Sequence, residues 1–593
     1  MKRKWMLKRK KIDTKLISKL TGLSEITINI LVNRGVYKPT DIKNFIDPSI
    51  ENVYDSFLMK DMDKGTEIIK KAIDENKNIV VYGDYDADGV TSTVILYTAL
   101  KDCGANVSYY IPDRKNEGYG MCTERVEKLK KDGVEVILTC DNGISAIDAI
   151  KKAKELGMTV IVTDHHELPF NENEGNREYI VPDADAIVNP KQKECKYPFE
   201  MLCGAGIALK FAKVIYEKIK GDFSKYLELV QFAAIGTICD VVDLKDENRI
   251  IAKTGLEYIN NTKNIGLNAL IKEIGLEEKV IKSYHIGFMI GPCINATGRL
   301  ETASISAELF LCKDKEKAKV LARKLKELNN ERQKMTSESV EETIELIENS
   351  SLKEDKILVV YNKDIDESIA GIVAGRIKEK YNLPTIIITK GKDMPKGSGR
   401  SIEGYNLFEE LIKCKECIYK FGGHPMAAGL TIEEKNIDKL RKNLNSNCKL
   451  KREEFIPKIR IDKRVPLKAI NMDLIKELEY LEPFGKENPS PIMAEKNIKV
   501  EGIKILGKDE NTLKIICKVP QSNKRINALG FGIGKEFLEE MKDIYGIRYK
   551  EIVENPWNNP LDVDLIYYPQ INEFNGFTST QLKIIDYRIN ENN

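Results

Sequence analysis

The sequence predicts a multidomain α/β protein: a domain built on a parallel sheet, a long connecting helix, a second α/β domain and a C-terminal β-barrel. Three observations carry this reading. The chain has 593 residues, more than one hydrophobic core can serve, which calls for about three to five domains. From about residue 78, short continuous apolar runs alternate with amphipathic stretches. Beyond residue 452 the pattern changes to short β-like runs separated by Gly, Asn and Pro.

The elements follow in order. Residues 79–81, 134–139 and 160–162 read as strands, with helical stretches at 90–100 and 146–156 between them. Their apolar runs do not alternate with polar residues, as expected for parallel strands covered by helices on both faces. Residues 313–350 turn rich in Lys and Glu, with Ala318, Leu321, Leu325 and Leu328 at helical spacing, which predicts the connecting helix. A second α/β pattern covers 357–444, with strands at 357–361 and 385–389 around a helix near 369–378. Runs at 498–503, 513–519, 563–568 and 582–585 predict the small antiparallel barrel.

Composition excludes some classes. Hydrophobic content of 42% with 31% charge is that of a globular protein, and no run approaches the roughly 18 apolar residues of a membrane span. Residues 1–12 carry seven Lys/Arg with no apolar stretch or cleavage site after them, so they read as a basic tail and not a leader. Twelve scattered cysteines fit a reduced cytoplasm. Cys414 and Cys417 have CxxC spacing without a second Cys/His pair, and they read as surface thiols, with no zinc assigned. Because the net charge is only +2, affinity for nucleic acid has to come from a local basic groove.

The chemistry gathers where ligands bind in open parallel sheets, beyond the carboxyl ends of the strands. The first strand leads into Asp84, Asp86 and Asp88, the next into Asp141, and the next into Asp164, His165 and His166. A helix over 226–238 then delivers Asp240. Ionised carboxylates crowded together repel, so the set requires cations, and mixed carboxylate and imidazole donors suit manganese or magnesium better than structural zinc. Such a set supports two ions that activate a water for attack on phosphorus. A DxDxDG run by itself reads as a turn or a calcium loop. The combination stands out because two of the chain's four histidines are adjacent at a strand end. Arg299, Arg400 and His424 each stand beside a glycine, which would let a phosphate approach the backbone while the side chain supplies charged hydrogen bonds.

At these residues the sequence resembles the DHH phosphoesterases, in particular their branch of single-strand-specific exonucleases. The motifs are YGDYDADG from Tyr82, IPDRKNEGYG from Ile111, Asp164-His165-His166, GTICDVV from Gly236, GPCINATGRL from Gly291, KGSGRS from Lys396 and FGGHPMAAGL from Phe421. LEPFGKENPSP from Leu481 and NEFNGFTSTQLKIID from Asn572 resemble that branch's oligonucleotide-binding (OB) fold. The resemblance implies an N-terminal segment 1–55, a DHH domain 56–312, the connecting helix 313–350, a DHH-associated domain 351–450 and an OB-fold domain 451–593. It implies metal ligands Asp86, Asp88, Asp141, His165 and Asp240, with His166 against the scissile phosphate and Asp84 and Asp164 orienting the ligands. Substrate contacts would be Arg114, Arg299, Ser398, Arg400, Gly423 and His424.

The implied activity is 5′→3′ degradation of single-stranded DNA to 5′ mononucleotides by two-metal hydrolysis, in DNA repair and recombination. The cofactors would be two divalent cations, Mn2+ first and Mg2+ second. The implied partners are single-stranded DNA, a single-strand binding protein and a helicase, with no membrane and a cytoplasmic location. Two departures stand out: Tyr82, where many relatives carry a histidine ligand, and Cys293, where an arginine is expected. The rival readings are a DHH phosphatase of small substrates (nanoRNA, cyclic dinucleotide or pyrophosphate), a non-catalytic replication scaffold and a plain single-strand binding protein. The C-terminal barrel argues against the first, and the complete acidic and histidine set argues against the other two.

Overall fold

A computed structural model describes residues 3–114, 116–118, 120–173, 176–219, 224–556, 561–574 and 576–590. Lys115, Tyr119 and Asn575 of the motifs above, and Met1 and Lys2 of the basic tail, lie outside the described residues. The chain forms two compact units, one holding Val53–Val242 and Ile250–Pro457, the other Arg3–Asn52, Asp243–Arg249 and Lys458–Asn593. No helix among the described residues is long and apolar enough to cross a membrane.

The first unit contains a five-stranded, wholly parallel sheet. Its strands are β1 (Ile79–Tyr82), β2 (Val107–Tyr110), β3 (Val136–Cys140), β4 (Thr159–Thr163) and β5 (Ala186–Val188), in the order β2-β1-β3-β4-β5. All of β1 and β3 is buried, which explains their unbroken apolar runs. Helix α1 (Ala87–Asp102) leaves β1, while α2 (Gly204–Ile219) and α3 (Ser224–Cys239) pack against it and against each other. Further on, α4 (Gly291–Leu300) precedes the 34-residue helix α5 (Lys315–Glu348), whose first turn is capped by the Asp314 carboxylate accepting from Lys317 N.

The same unit carries a second sheet around helix α6 (Glu367–Tyr381), with strands β6 (Leu358–Tyr361), β7 (Thr385–Thr389), β8 (Lys396–Arg400), β9 (Lys420–His424) and β10 (Ala427–Thr431). The order is β9-β10-β8-β7-β6, parallel only between β6 and β7. The glycine-rich KGSGRS and FGGHPMAAGL motifs thus turn out to be strands. A Cβ on Gly397 would meet Leu430 at 2.9 Å and one on Gly399 would meet Leu407 at 2.5 Å, so bulky neighbours occupy the space that β-branched residues usually fill. Cys414 and Cys417 are buried in this domain's core, which corrects their reading as surface thiols; a free thiol packs there as a small apolar group.

In the second unit, Met493–Leu506, Thr512–Lys518, Arg525–Phe531, Leu561–Phe574 and Phe577–Asn590 form a barrel-like sheet in which Met493–Leu506 also pairs with Leu561–Phe574. The pattern alone misses Arg525–Phe531. It alternates as a strand should, but Ala528 and Gly530 occupy inward positions where larger apolar residues would give the signal. Part of the basic tail is ordered as well: Lys4–Leu7 pairs in parallel with Lys458–Ile461, and Trp5 donates to Asp586 at 2.6 Å beneath the Arg588 guanidinium. One aromatic residue, with its hydrogen bond and cation–π contact, anchors a segment that charge counting reads as a tail.

Candidate functional site

Asp86 caps α1, its Oδ1 accepting from Asp88 N and Gly89 N at 2.9 and 3.0 Å. Asp88 turns inward and accepts at the N-terminus of α2, from Gly204 N to Oδ2 at 2.7 Å and from Ala205 N to Oδ1 at 2.8 Å. The helix dipole and two free N–H groups hold this carboxylate in place. Asp141 follows β3 with φ of 61°, a left-handed conformation that costs a non-glycine residue energy and recurs at functional sites. Asn142 bridges the carbonyls of Tyr82 and Cys140 at 3.1 and 2.9 Å, which ties the ends of β1 and β3 together.

After β4, Asp164 accepts from His165 N, His166 N and Ile144 N and lies 2.8 Å from His166 Nδ1. Burial alone would raise the Asp164 pKa, but the His166 hydrogen bond and charge outweigh it and hold the carboxyl near about 2. His166 answers in kind: burial would lower its pKa, yet Asp164, with Asp240 and Asp84 behind it, pushes it up to about 9.

The acids and imidazoles converge. His165 Nε2 lies 3.1 Å from Asp141 Oδ1, 3.8 Å from Asp240 Oδ2 and 3.9 Å from Asp88 Oδ2. Among the described residues, three sets have ligand atoms within 4.8 Å of one another: Asp141, His165 and His166; Asp88, His165 and Asp240; and Asp84, Asp86 and Asp141. Burial and the neighbouring carboxylates raise the pKa values of Asp84, Asp88, Asp141 and Asp240 together. Asp84 Oδ1 is buried without a hydrogen-bond partner. An orphaned carboxylate oxygen among crowded acids fits a site for divalent cations. The donor set, rich in oxygen and with imidazole but no thiolate, fits hard or borderline divalent ions.

Tyr82 takes no part in this cluster. Its ring is fully buried in the core beside Met121 and Ile137, 5.3 Å from the Tyr110 ring, with its hydroxyl toward Gly120 O. Cys293 is buried as well, against Arg332 and Asn329 of α5.

The cationic residues gather beside the acids. Arg114 lies over the Tyr85 ring at 5.1 Å, and Arg299 Nη1 donates to Ser368 O at 2.5 Å. The Arg299 guanidinium is pushed down to about 10 by burial and by Arg114 and Arg332, and Arg400 is lowered by burial and by Arg114. Three of the expected contacts thus form one cluster of like charge. Ser398 and Arg400 both face Gly371 of α6, where a Cβ would lie 2.9 Å from Arg400 Nη2. Ala427 pairs with Arg400 on one side and His424 on the other, which places His424 two strands away at the same level of the sheet. Side chains at Gly298 and Gly423 would strike the backbone at Tyr85 and Ala427, so both glycines permit close packing.

Several positioning residues escape sequence reasoning. A Cβ on Gly204 would meet the Asp141 carboxylate at 2.6 to 2.8 Å, and one on Gly236 would meet Asp88 Oδ1 at 2.5 Å. Asn295 Oδ1 accepts from Ala87 N at 2.8 Å, fixing α4 to the acidic loop. The GAG run at Gly204 before an apolar helix is the one signal that marks such an anion-holding N-terminus.

Comparison with known proteins agrees with this arrangement. Residues 78–237 match the DHH family N-terminal domain, 354–450 the DHHA1 domain and 461–586 the RecJ OB domain. The chain is 37% identical over 566 residues to the single-stranded-DNA-specific exonuclease RecJ of Bacillus subtilis, covering 94% of this chain and 69% of that one. It is 30% identical to the Escherichia coli RecJ over 99% of both chains. The fold superposes on the Mn2+ complex of RecJ from Thermus thermophilus with a TM-score of 0.81 at 24% identity, covering 99% of this chain and 80% of that one. A manganese-bound exonuclease RecJ shares 30% identity with a TM-score of 0.56, over 65% of this chain and 94% of that one. With relatives this similar along nearly its whole length, the chain belongs to the RecJ family of DHH proteins.

Proposed function

We propose that this protein is a metal-dependent exonuclease that degrades single-stranded DNA in the 5′→3′ direction to 5′ mononucleotides, with two divalent cations and manganese as the preferred ion. The observation that carries the reading is the sharing of Asp141 and His165 between donor sets, directly beside the cluster of Arg114, Arg299 and Arg400. Shared donors hold two ions close together, and a cluster of arginines beside them suits phosphate. The names of the relatives point the same way.

In this reading Asp86, Asp88, Asp141, His165 and Asp240 hold the cations, with Asp84 completing the negative shell. Divalent cations bound there would supply charge neutralisation at the phosphodiester and a more acidic water. His166, kept protonated by Asp164, donates a hydrogen bond to the phosphate oxygen as negative charge grows on it. Arg114, Ser398 and Arg400 grip a terminal 5′ phosphate, Arg299 the next one, and Gly423 and His424 border the strand. Placing the 5′ end in the arginine pocket sets the first internucleotide phosphate over the acids, so each turnover releases one 5′ mononucleotide.

The domain division we propose is 1–55, 56–312, 313–350, 351–450 and 451–593, with the last serving as a single-strand module. Exposed Phe531 and Phe577 on its barrel are suited to stacking on bases. A cytoplasmic role in DNA repair and recombination, beside a single-strand binding protein and a helicase, belongs to the same proposal. The test is to incubate the purified chain with labelled single-stranded DNA, duplex DNA, a dinucleotide and pyrophosphate, each with Mn2+, Mg2+ or chelator. Hydrolysis of the single strand alone, only with metal, supports the reading; preference for the dinucleotide or pyrophosphate replaces it with a small-substrate phosphatase.

A further inference from the structure

The basic segment at the start of the chain plays no part in the site described above, yet it has a fixed place. Lys4–Leu7 runs parallel to Lys458–Ile461, and Lys8 N continues the ladder to Ile461 O at 2.9 Å. Trp5, Ile459 and Ile461 turn inward and pack with Ala494, Ile566 and Ile585 of the barrel. Side chains alternate along a strand, so Lys4, Met6, Lys458 and Arg460 share the outer face of this two-stranded ribbon, and all four are exposed. Residues 3–12 and 458–461 together hold eight lysines and arginines and no acid, in a chain whose net charge is only +2. Asp586 and Asp462, which border the ribbon, are engaged: the first accepts from Trp5 and pairs with Arg3 at 3.4 Å, the second pairs with Lys8 at 3.4 Å. Positive charge concentrated in this way on one face attracts a polyanion.

The make-up of the ribbon separates the candidates. A single strand is held by stacking its bases on aromatic rings. Trp5, the one aromatic residue of the ribbon, is turned inward, its indole donating to Asp586 and its ring 4.1 Å from the Arg588 guanidinium. A duplex, by contrast, keeps its base faces inside and presents phosphate, with one negative charge per about 1.7 Å of axis, and its major groove admits a two-stranded β-ribbon. The ribbon is also mounted firmly on the barrel. Lys458–Ile461 leads into Lys463–Arg464, which pairs with Met493–Leu506. The Trp5 anchor, Asp586, lies on the strand Phe577–Asn590, whose other end carries exposed Phe577 roughly 30 Å away along the strand.

We infer that the outer face of this ribbon, with Lys4, Lys458 and Arg460, binds the phosphate backbone of duplex DNA, namely the paired region from which a single-stranded 5′ tail extends. The part played by the tail rests on the reading above. The ribbon adds a second grip that reads no sequence, because lysine and arginine contacts to phosphate position a duplex without touching base edges.

The experiment uses the full chain in chelator, so that DNA is bound and not cut, and compares a 5′-tailed duplex with its tail alone and with a blunt duplex across a salt series. Wild type should bind the tailed duplex about tenfold more tightly than the tail, with a steeper fall in affinity as salt rises. Lys4→Glu, Lys458→Glu and Arg460→Glu together should abolish that gain and take about 3 off the slope of log affinity against log salt on the tailed duplex. The same variant should bind the tail, and with Mn2+ digest it, as wild type does, which separates the effect from a folding defect. Lys4→Arg with Lys458→Arg should keep the gain. Equal binding of tail and tailed duplex by wild type, or a reversal variant that keeps the gain, overturns the ribbon alone. Capture of poly-glutamate or of phosphatidylglycerol vesicles by wild type, lost in the reversal variant and without any gain on the duplex, assigns the face to an acidic protein or a lipid and overturns it as well. A wild-type chain that neither binds nor cuts a single strand overturns the functional reading; a blunt duplex bound by wild type and released by the reversal variant then still upholds the ribbon.

Discussion

The Asp164 carboxylate lies 2.8 Å from Nδ1 of His166 while accepting three backbone N–H groups, so the imidazole is held at one nitrogen and presents the other outward. Asp164→Asn should release this hold without removing a cation ligand. Turnover on single-stranded DNA should fall about 10- to 100-fold at saturating metal, the range seen when an orienting partner is lost. Steady-state kinetics across a metal titration check this. A higher metal requirement with full recovery of turnover would instead make Asp164 a metal-site residue.

Gly204 should tolerate no side chain. The Cβ of Gly204→Ala would sit 2.6 Å from Asp141 Cβ, and Asp88 is held by the same turn. Relief requires α2 or Asp141 to move, at a cost of about 1 to 3 kcal/mol. We expect a folded protein whose Mn2+ affinity, measured calorimetrically, falls at least tenfold.

Most of the first sheet and its acidic rim is legible in the sequence, because the strands are short apolar runs and the acids stand at their ends. The groups that hold those acids are not legible. Gly204 and Ala205 act through backbone N–H, Asn295 reaches Ala87 across some two hundred positions, and Tyr82 turns into the core although its sequence position is that of a ligand. Of the arginine cluster, Arg299 and Arg400 are legible only as separate Gly-Arg pairs and Arg114 only through its motif, since the assembly depends on the packing of α4 and α6. Cys414 and Cys417 look like surface thiols because spacing carries no information about burial.

Arg249 illustrates a buried cation that sequence reasoning passes over. It is 2% exposed, its guanidinium lies 3.7 Å from the centre of the Phe45 ring, and it donates to the carbonyls of Phe45, Tyr480, Leu481, Glu482 and Pro483. Burial and Arg34 push it down to about 9. Arg249→Met removes every guanidinium donor, leaving the Phe45, Tyr480 and Glu482 carbonyls without these bonds while Asn488 still serves Leu481 and Pro483, so the unit built from Arg3–Asn52, Asp243–Arg249 and Lys458–Asn593 should lose on the order of 3 kcal/mol. Chemical denaturation followed by fluorescence checks it, with Arg249→Lys expected to recover only part of the loss.

Arg400 should select the 5′ end. If it grips the terminal phosphate with Ser398 and Arg114, wild type prefers a 5′-phosphorylated strand over a 5′-hydroxyl one, and Arg400→Ala loses chiefly that preference. An equal loss on both strands would make Arg400 a general phosphate contact.

The central claim is that the shared acid and histidine sets hydrolyse single strands from the 5′ end, and one end-labelling time course tests it most directly. Wild type, Asp141→Ala and His165→Ala are each given single-stranded DNA labelled at either end, with Mn2+ or with chelator. The account predicts that wild type with Mn2+ releases the 5′ label first, as a mononucleotide. It also predicts that both variants bind the strand but leave it intact, and that chelator stops wild type. Early release of the 3′ label, cleavage in chelator, or near-wild-type turnover by either variant would contradict it.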